Sequence, residues 1–194
     1  MLIQWVEHNK PVTKVLIDNS KISSSSTSEQ QIILHSCAED CTLLTYDLKL
    51  EKRINSHVAR EGSFLDMVQR KDGEHEIITV DALSRVVAWD ESYPNPVSVY
   101  IDPSKTKLCA TALSPCGKFL ATAGLDSSIK ILYVESVYAT PTSTTTNIDG
   151  PVSVGLGHSA NVTSLSWTPD GKQLISVGED STVCIWNFYD VTLG

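Results

Sequence analysis

Apolar residues in this chain come in short alternating runs, and turn-forming residues bracket nearly every run. Ser128-Ile129-Lys130-Ile131-Leu132 and Thr182-Val183-Cys184-Ile185-Trp186 alternate with period two, as expected of strands whose successive side chains face opposite sides of a sheet. Pro115-Cys116-Gly117-Lys118 and Pro169-Asp170-Gly171-Lys172 each stand ahead of a further apolar run, where Pro and Gly set the dihedrals of a tight turn. No stretch keeps the 3.6-residue helical period for ten or more residues. The pattern predicts an all-β chain of strands of about five to eight residues.

The runs recur as larger units. Ser114-Pro115-Cys116-Gly117-Lys118 through Leu125-Asp126 repeats as Thr168-Pro169-Asp170-Gly171-Lys172 through Glu179-Asp180, and two weaker copies precede them. Taking Tyr46, Trp89, Leu132 and Trp186 as equivalent gives separations of 43, 43 and 54 residues. Four repeats are expected over about 6–48, 55–91, 98–135 and 152–190. Insertions at 20–30 and 138–150 contain the tracts Ser23–Ser28 and Thr140–Asn147, which hold no apolar anchor and read as flexible, cleavable loops. Leu2-Ile3-Gln4-Trp5-Val6 reads as an orphan outer strand. Eight residues follow Trp186, so the outer strand of the fourth unit is expected to be missing or supplied from elsewhere. An open array that completes itself with another chain or with further sequence is the expectation.

Composition narrows the function. In 194 residues, 15 basic against 23 acidic side chains give a net charge of −8, and 41% of residues are hydrophobic. That is ample for a core. Ser and Thr number 41, which favours strands and turns over helices. Without a basic cluster, an electrostatic nucleic-acid surface is not expected. The apolar runs are too short to span a bilayer, and the N-terminus has no signal-peptide pattern, so a cytoplasmic chain is expected. Five cysteines in such a chain do not read as a disulfide framework. Cys37 and Cys41 are expected to be strand cysteines facing a core rather than half of a metal site.

A period near 43, Gly157-His158 early, Asp180 six residues before Trp186, and Trp89-Asp90 closing the second copy together resemble the WD40 repeat of β-propellers. The resemblance covers the whole chain. The fourth copy matches best, ending in Trp186-Asn187; the third ends in Leu132-Tyr133, the second has Leu83 where Asp is expected, and the first ends in Tyr46-Asp47. The resemblance implies a structural hydrogen-bond network of His158, Ser176, Asp180 and Trp186, complete in the fourth copy alone. It further implies a partner-binding face at the residues before the network Asp, namely Glu39, Leu125 and Glu179, with Ala82 at the second copy and Asn161 as a neighbour. Such a face suits a peptide with basic and apolar side chains.

Enzymatic chemistry has no comparable signal. His75-Glu76 lacks a second His four residues on, and Gly155-Leu156-Gly157-His158 precedes a strand rather than a helix. No cofactor, metal, nucleic-acid, membrane or small-molecule partner is expected. The chain is also similar to the C-terminal repeats of WD-repeat proteins of cilia and flagella, which implies a protein-binding scaffold. Its partners would be another WD40 segment or a cytoskeletal assembly. A ubiquitin-ligase substrate receptor is an alternative, although Trp89-Asp90-Glu91-Ser92 and Trp186-Asn187-Phe188-Tyr189 lack the Arg frequent in that class; a propeller hydrolase is another.

Overall fold

The computed structural model describes residues 4–18, 32–70, 76–138 and 150–189. The tracts Ser23–Ser28 and Thr140–Asn147 lie outside the described residues. Among the described residues, fifteen strands form four antiparallel sheets. Sheet 1 holds β1 (Val12–Asp18), β2 (Ile33–Ala38), β3 (Thr42–Asp47) and β4 (Lys52–Val58). Sheet 2 holds β5 (Phe64–Gln69), β6 (Glu76–Asp81), β7 (Arg85–Asp90) and β8 (Ser98–Ile101). Sheet 3 holds β9 (Leu108–Leu113), β10 (Phe119–Gly124), β11 (Ser128–Tyr133) and β12 (Ser153–Leu156). Sheet 4 has three strands, β13 (Val162–Trp167), β14 (Gln173–Gly178) and β15 (Val183–Asn187). This is an all-β array with the architecture of a partial propeller.

The first strand of each sheet packs beside the first strand of the next, β1 on β5, β5 on β9 and β9 on β13. Strand alternation then gives every sheet one face toward its predecessor and one toward its successor. Cys37 and Leu43 of sheet 1 meet Phe64, Met67, Ile77, Val87 and Trp89 of sheet 2. Ile78, Val80, Val86 and Ala88, on the other face of sheet 2, meet Leu108, Leu120 and Leu132 of sheet 3. Ala110, Ala112, Ala121, Ala123 and Ile129 then meet Val162, Leu165 and Leu174 of sheet 4. Small alanines on one side admit the large Trp167 and Trp186 on the other. The positions taken as equivalent pair alike: Leu34 with Tyr46, Ile77 with Trp89, Leu120 with Leu132 and Leu174 with Trp186.

Two polar ties reinforce the first strands. Asp66 on β5 accepts the Lys14 ammonium at 2.9 Å from β1 and the Thr111 amide at 2.9 Å from β9. A five-residue helix, α1 (Val134–Tyr138), follows β11 and buries Val134 and Val137 against sheets 2 and 3. Gln4–Val6 forms no strand. Among the described residues no strand lies beside them to supply ladder bonds, as for an orphan segment, and Trp5 stacks on Tyr46 with ring centroids 4.8 Å apart; Leu2 and Ile3 lie outside the described residues.

Candidate functional site

In sheet 4, the turn joining β14 to β15 carries Asp180, and the loop entering the sheet carries His158. The imidazole Nδ1–H lies 3.0 Å from Asp180 Oδ2, and Nε2 lies 2.7 Å from Ser176 Oγ. The Trp186 indole N–H donates to Ser176 Oγ at 2.8 Å. Thr182 adds its hydroxyl to Asp180 at 2.8 Å, and the Ser159 amide donates to the carboxylate at 2.8 Å. The Ser159 amide is the largest influence holding the Asp180 carboxyl well below the usual range; it acts against burial and with Thr182 and His158. Gly178 stands where a Cβ would come within 2.9 Å of His158 Nδ1, so the site demands a bare backbone there.

The same constellation occurs in sheet 1, where no histidine was expected. His8 Nδ1 lies 3.2 Å from Asp40 Oδ2 and Nε2 lies 2.8 Å from Ser36 Oγ; Thr42 Oγ1 donates to Asp40 at 2.6 Å and the Asn9 amide at 2.8 Å. Tyr46 stands in the tryptophan's place and hydrogen-bonds Ser36. Burial pushes the Asp40 carboxyl up, but bonds from Thr42, Asn9 and His8 outweigh it and leave it lowered. The fourth copy remains the one with all four residue types, while sheet 1 holds the same His, Ser and Asp with Tyr46 for the tryptophan. The signal was present but displaced: 32 residues separate His8 from Asp40, against 22 between His158 and Asp180, because an insertion intervenes.

Sheets 2 and 3 tie the same turn with cations. In sheet 2, Asp81 receives the Leu83 amide at 2.8 Å and the Arg85 guanidinium at 2.7 Å, while the Trp89 indole donates to Thr79 at 2.9 Å. In sheet 3, Lys130 Nζ reaches Asp126 at 2.6 Å, Asp102 at 3.1 Å and Ser104 at 2.9 Å. All four turns place a non-glycine residue at positive φ, Cys41, Ser84, Ser127 and Ser181, between 59° and 66°. Cys41 is thus a turn residue, and the expectation of a second strand cysteine is corrected; Cys37 is the buried one, and burial raises its thiol to about 11.

The geometry speaks against nucleophilic use of the His–Ser–Asp sets. Ser176 is fully buried and its oxygen already accepts an indole N–H, so it is not presented to a substrate. Among the described residues, no group of three or more His, Cys, Asp or Glu side chains could hold a metal ion, and no helix is long and apolar enough to cross a membrane.

The four positions of the expected partner-binding face are anchored alike. The amides of Glu39, Ala82, Leu125 and Glu179 donate to Pro11, Ser63, Lys107 and Asn161 carbonyls at 2.9–3.1 Å. All four therefore project from one end of the array. Leu125 and Glu179 are exposed and Glu39 is half-buried. Asn161 adjoins Glu179 directly, whereas Glu39 and Glu179 belong to the two terminal sheets and are not brought together. At the other end, a cleft of about 980 Å³ that sequence reasoning did not single out lies between the β9–β10 and β13–β14 turns, lined by Phe119, Lys172 and Phe188 among others.

Residues 95–131 and 150–187 match the family model described as WD domain, G-beta repeat. The chain is 24% identical over 153 residues to cilia- and flagella-associated protein 52 of Chlamydomonas reinhardtii, a match covering 79% of this chain and 23% of that protein. It is 30% identical over 139 residues to protein hir-1 of Neurospora crassa (68% and 13%), and 30% over 148 residues to protein HIR1 of Phaeosphaeria nodorum (73% and 13%). The matched segments thus span less than a quarter of each relative. The two matched segments are WD40 repeats, and the four repeated sheets with their repeated turns have the architecture of a partial WD40 propeller.

Proposed function

We propose that the chain is a non-enzymatic protein-interaction scaffold whose recognition face is the row of turns bearing Glu39, Leu125, Asn161 and Glu179. One observation carries this reading: four turns, each tied down by a carboxylate network and an equivalent amide bond, hold Leu125 and Glu179 exposed and Glu39 half-buried on a frame that costs little to preorganise on binding. The side chains offered are acidic and apolar, which suits a segment with basic and apolar residues. The networks of His158, Ser176, Asp180 and Trp186 serve that face by fixing the turn from behind.

The likeness to cilia- and flagella-associated protein 52 supports a ciliary or cytoskeletal setting within the cytoplasm. Titration of fluorescent Lys/Leu-rich peptides by anisotropy tests the face. Binding should weaken at least tenfold in a Glu179→Lys, Leu125→Ser double variant that melts like the parent. Unchanged affinity in that variant, or no binding of any such peptide by the parent, removes this reading. Sedimentation with tubulin polymers tests the setting separately.

A further inference from the structure

The β6–β7 turn of sheet 2 differs from its three counterparts. Glu39-Asp40-Cys41, Leu125-Asp126-Ser127 and Glu179-Asp180-Ser181 each place the tying carboxylate just before the residue at positive φ, whereas sheet 2 reads Ala82-Leu83-Ser84. The tie has moved two residues back, to Asp81, which accepts the Leu83 and Arg85 amides and the Arg85 guanidinium. Leu83 is therefore not needed to hold the turn, and it stands 48% exposed. Tight turns favour Asp, Asn, Ser and Gly, so an exposed leucine here calls for another explanation.

One exposed leucine is ordinary, but a second stands across the same loop. The β8–β9 loop, residues 102–107, runs between the β6–β7 and β10–β11 turns and is fastened to both. The Asp102 amide donates to the Ser84 carbonyl at 2.8 Å, the Ser84 hydroxyl donates to the Thr106 carbonyl, and the Leu125 amide donates to the Lys107 carbonyl at 3.1 Å. Leu83 thus adjoins the residue that holds Thr106, and Leu125, 55% exposed, holds Lys107 itself. Between the leucines the loop offers Lys105, exposed, and Lys107, half-buried. Among the described residues neither ammonium enters an ion pair, whereas the neighbouring Lys130 is taken up by Asp102 and Asp126. Sheets 2 and 3 each have a neighbouring sheet on both faces, so this patch is exposed with the array packed around it.

We infer that the patch receives a segment with an acidic residue between two apolar ones, its carboxylate meeting Lys105 and Lys107 and its apolar side chains covering Leu83 and Leu125. This rests on the row of turns as the recognition face and gives its partner a charge order. Basic residues of the segment fall toward Glu39 and Glu179 on the outer turns, and the acid falls in the middle. The net charge of −8 by itself favours a basic partner, but a purely basic and apolar segment would set like charges together over the two unpaired lysines.

Anisotropy titration of the whole chain with two labelled peptides tests the inference; both carry leucines flanked by lysines, and they differ only in a central Glu or Gln. The Glu peptide should bind about fivefold more tightly. Lys105→Gln with Lys107→Gln should abolish that preference. Leu83→Asn, which returns a turn-forming residue to the position, should weaken both peptides about fivefold at an unchanged melting temperature. Equal affinity of the parent for the two peptides, a preference that survives loss of both lysines, or parental affinity in Leu83→Asn each overturns the inference and leaves the recognition face standing. Binding of neither peptide overturns both together. Should a variant melt early, the two peptides on the parent still decide.

Discussion

Sheets 3 and 4 hold the same turn in place with different uses of charge. In sheet 4 an imidazole reaches from the entering loop to Asp180 and, through Ser176, to the Trp186 indole. In sheet 3 the position of Trp186 is Leu132 and the position of Cys184 is Lys130, whose ammonium reaches up the strand to Asp126 and across to Asp102. The turn geometry is nearly identical, with Ser127 at φ 59° and Ser181 at 62°. What the position requires is a donor that bridges the turn carboxylate to the loop behind it, and either chemistry supplies one. The risk differs, however. An imidazole relay is a chain of single hydrogen bonds, whereas Lys130 compensates two carboxylates, one of them 1% exposed.

The sharpest way to break the comparison is Lys130→Met. Removing the one cation leaves Asp102 buried and Asp126 partly buried without it, and loss of a partner from a buried pair costs about 3–5 kcal/mol, the Asp102 side being the larger share. Urea denaturation checks it; a loss no larger than that of a surface charge would show that the pair is screened by solvent. Next is Ser176→Ala, which strands the Trp186 indole N–H and His158 Nε2 and should cost about 1–3 kcal/mol. Ser36→Ala in sheet 1 should fall in the same range, because His8 and Tyr46 depend on it equally.

Acid should weaken all these turns together. Asp40, Asp126 and Asp180 have carboxyls lowered from 3.8, so the folded state releases their protons more readily than the unfolded chain. Their stabilisation is complete above about pH 4 and is lost as pH falls through the lowered values. His57 adds a loss that begins higher: burial against Trp89 lowers it from 6.5, so stability declines as pH drops below that value. Thermal melts from pH 8 to pH 3 should show two descending phases, and His57→Gln should remove the upper one. The smallest effect is expected at the turn tips, where Leu125→Ser should change stability by no more than about 0.5 kcal/mol.

The sequence carried the strand periodicity, the repeat and its best copy on its surface, because tight turns and strand alternation are local. The fourth site was legible for the same reason, His158, Ser176 and Asp180 standing at regular spacing. His8 was hidden by an insertion that stretched its distance to Asp40, and Lys130 by a change of residue type at a strand position where alternation asks only for a polar or small side chain. Cys41 read as a strand residue because nothing in its type demands positive φ; the turn imposes it.

The repeats in the sequence and the sheets in the structure are out of phase by one strand. A matched segment such as 95–131 takes β8 from sheet 2 and three strands from sheet 3. Copying one such unit in a gene therefore never duplicates a finished sheet; it inserts a stitch between two existing ones, with an outer strand already committed to its neighbour. Growth of the array by duplication is thereby self-fastening. By the same token, deleting one unit at its sequence borders still leaves complete sheets, because the unit that follows brings the outer strand that the preceding sheet has lost.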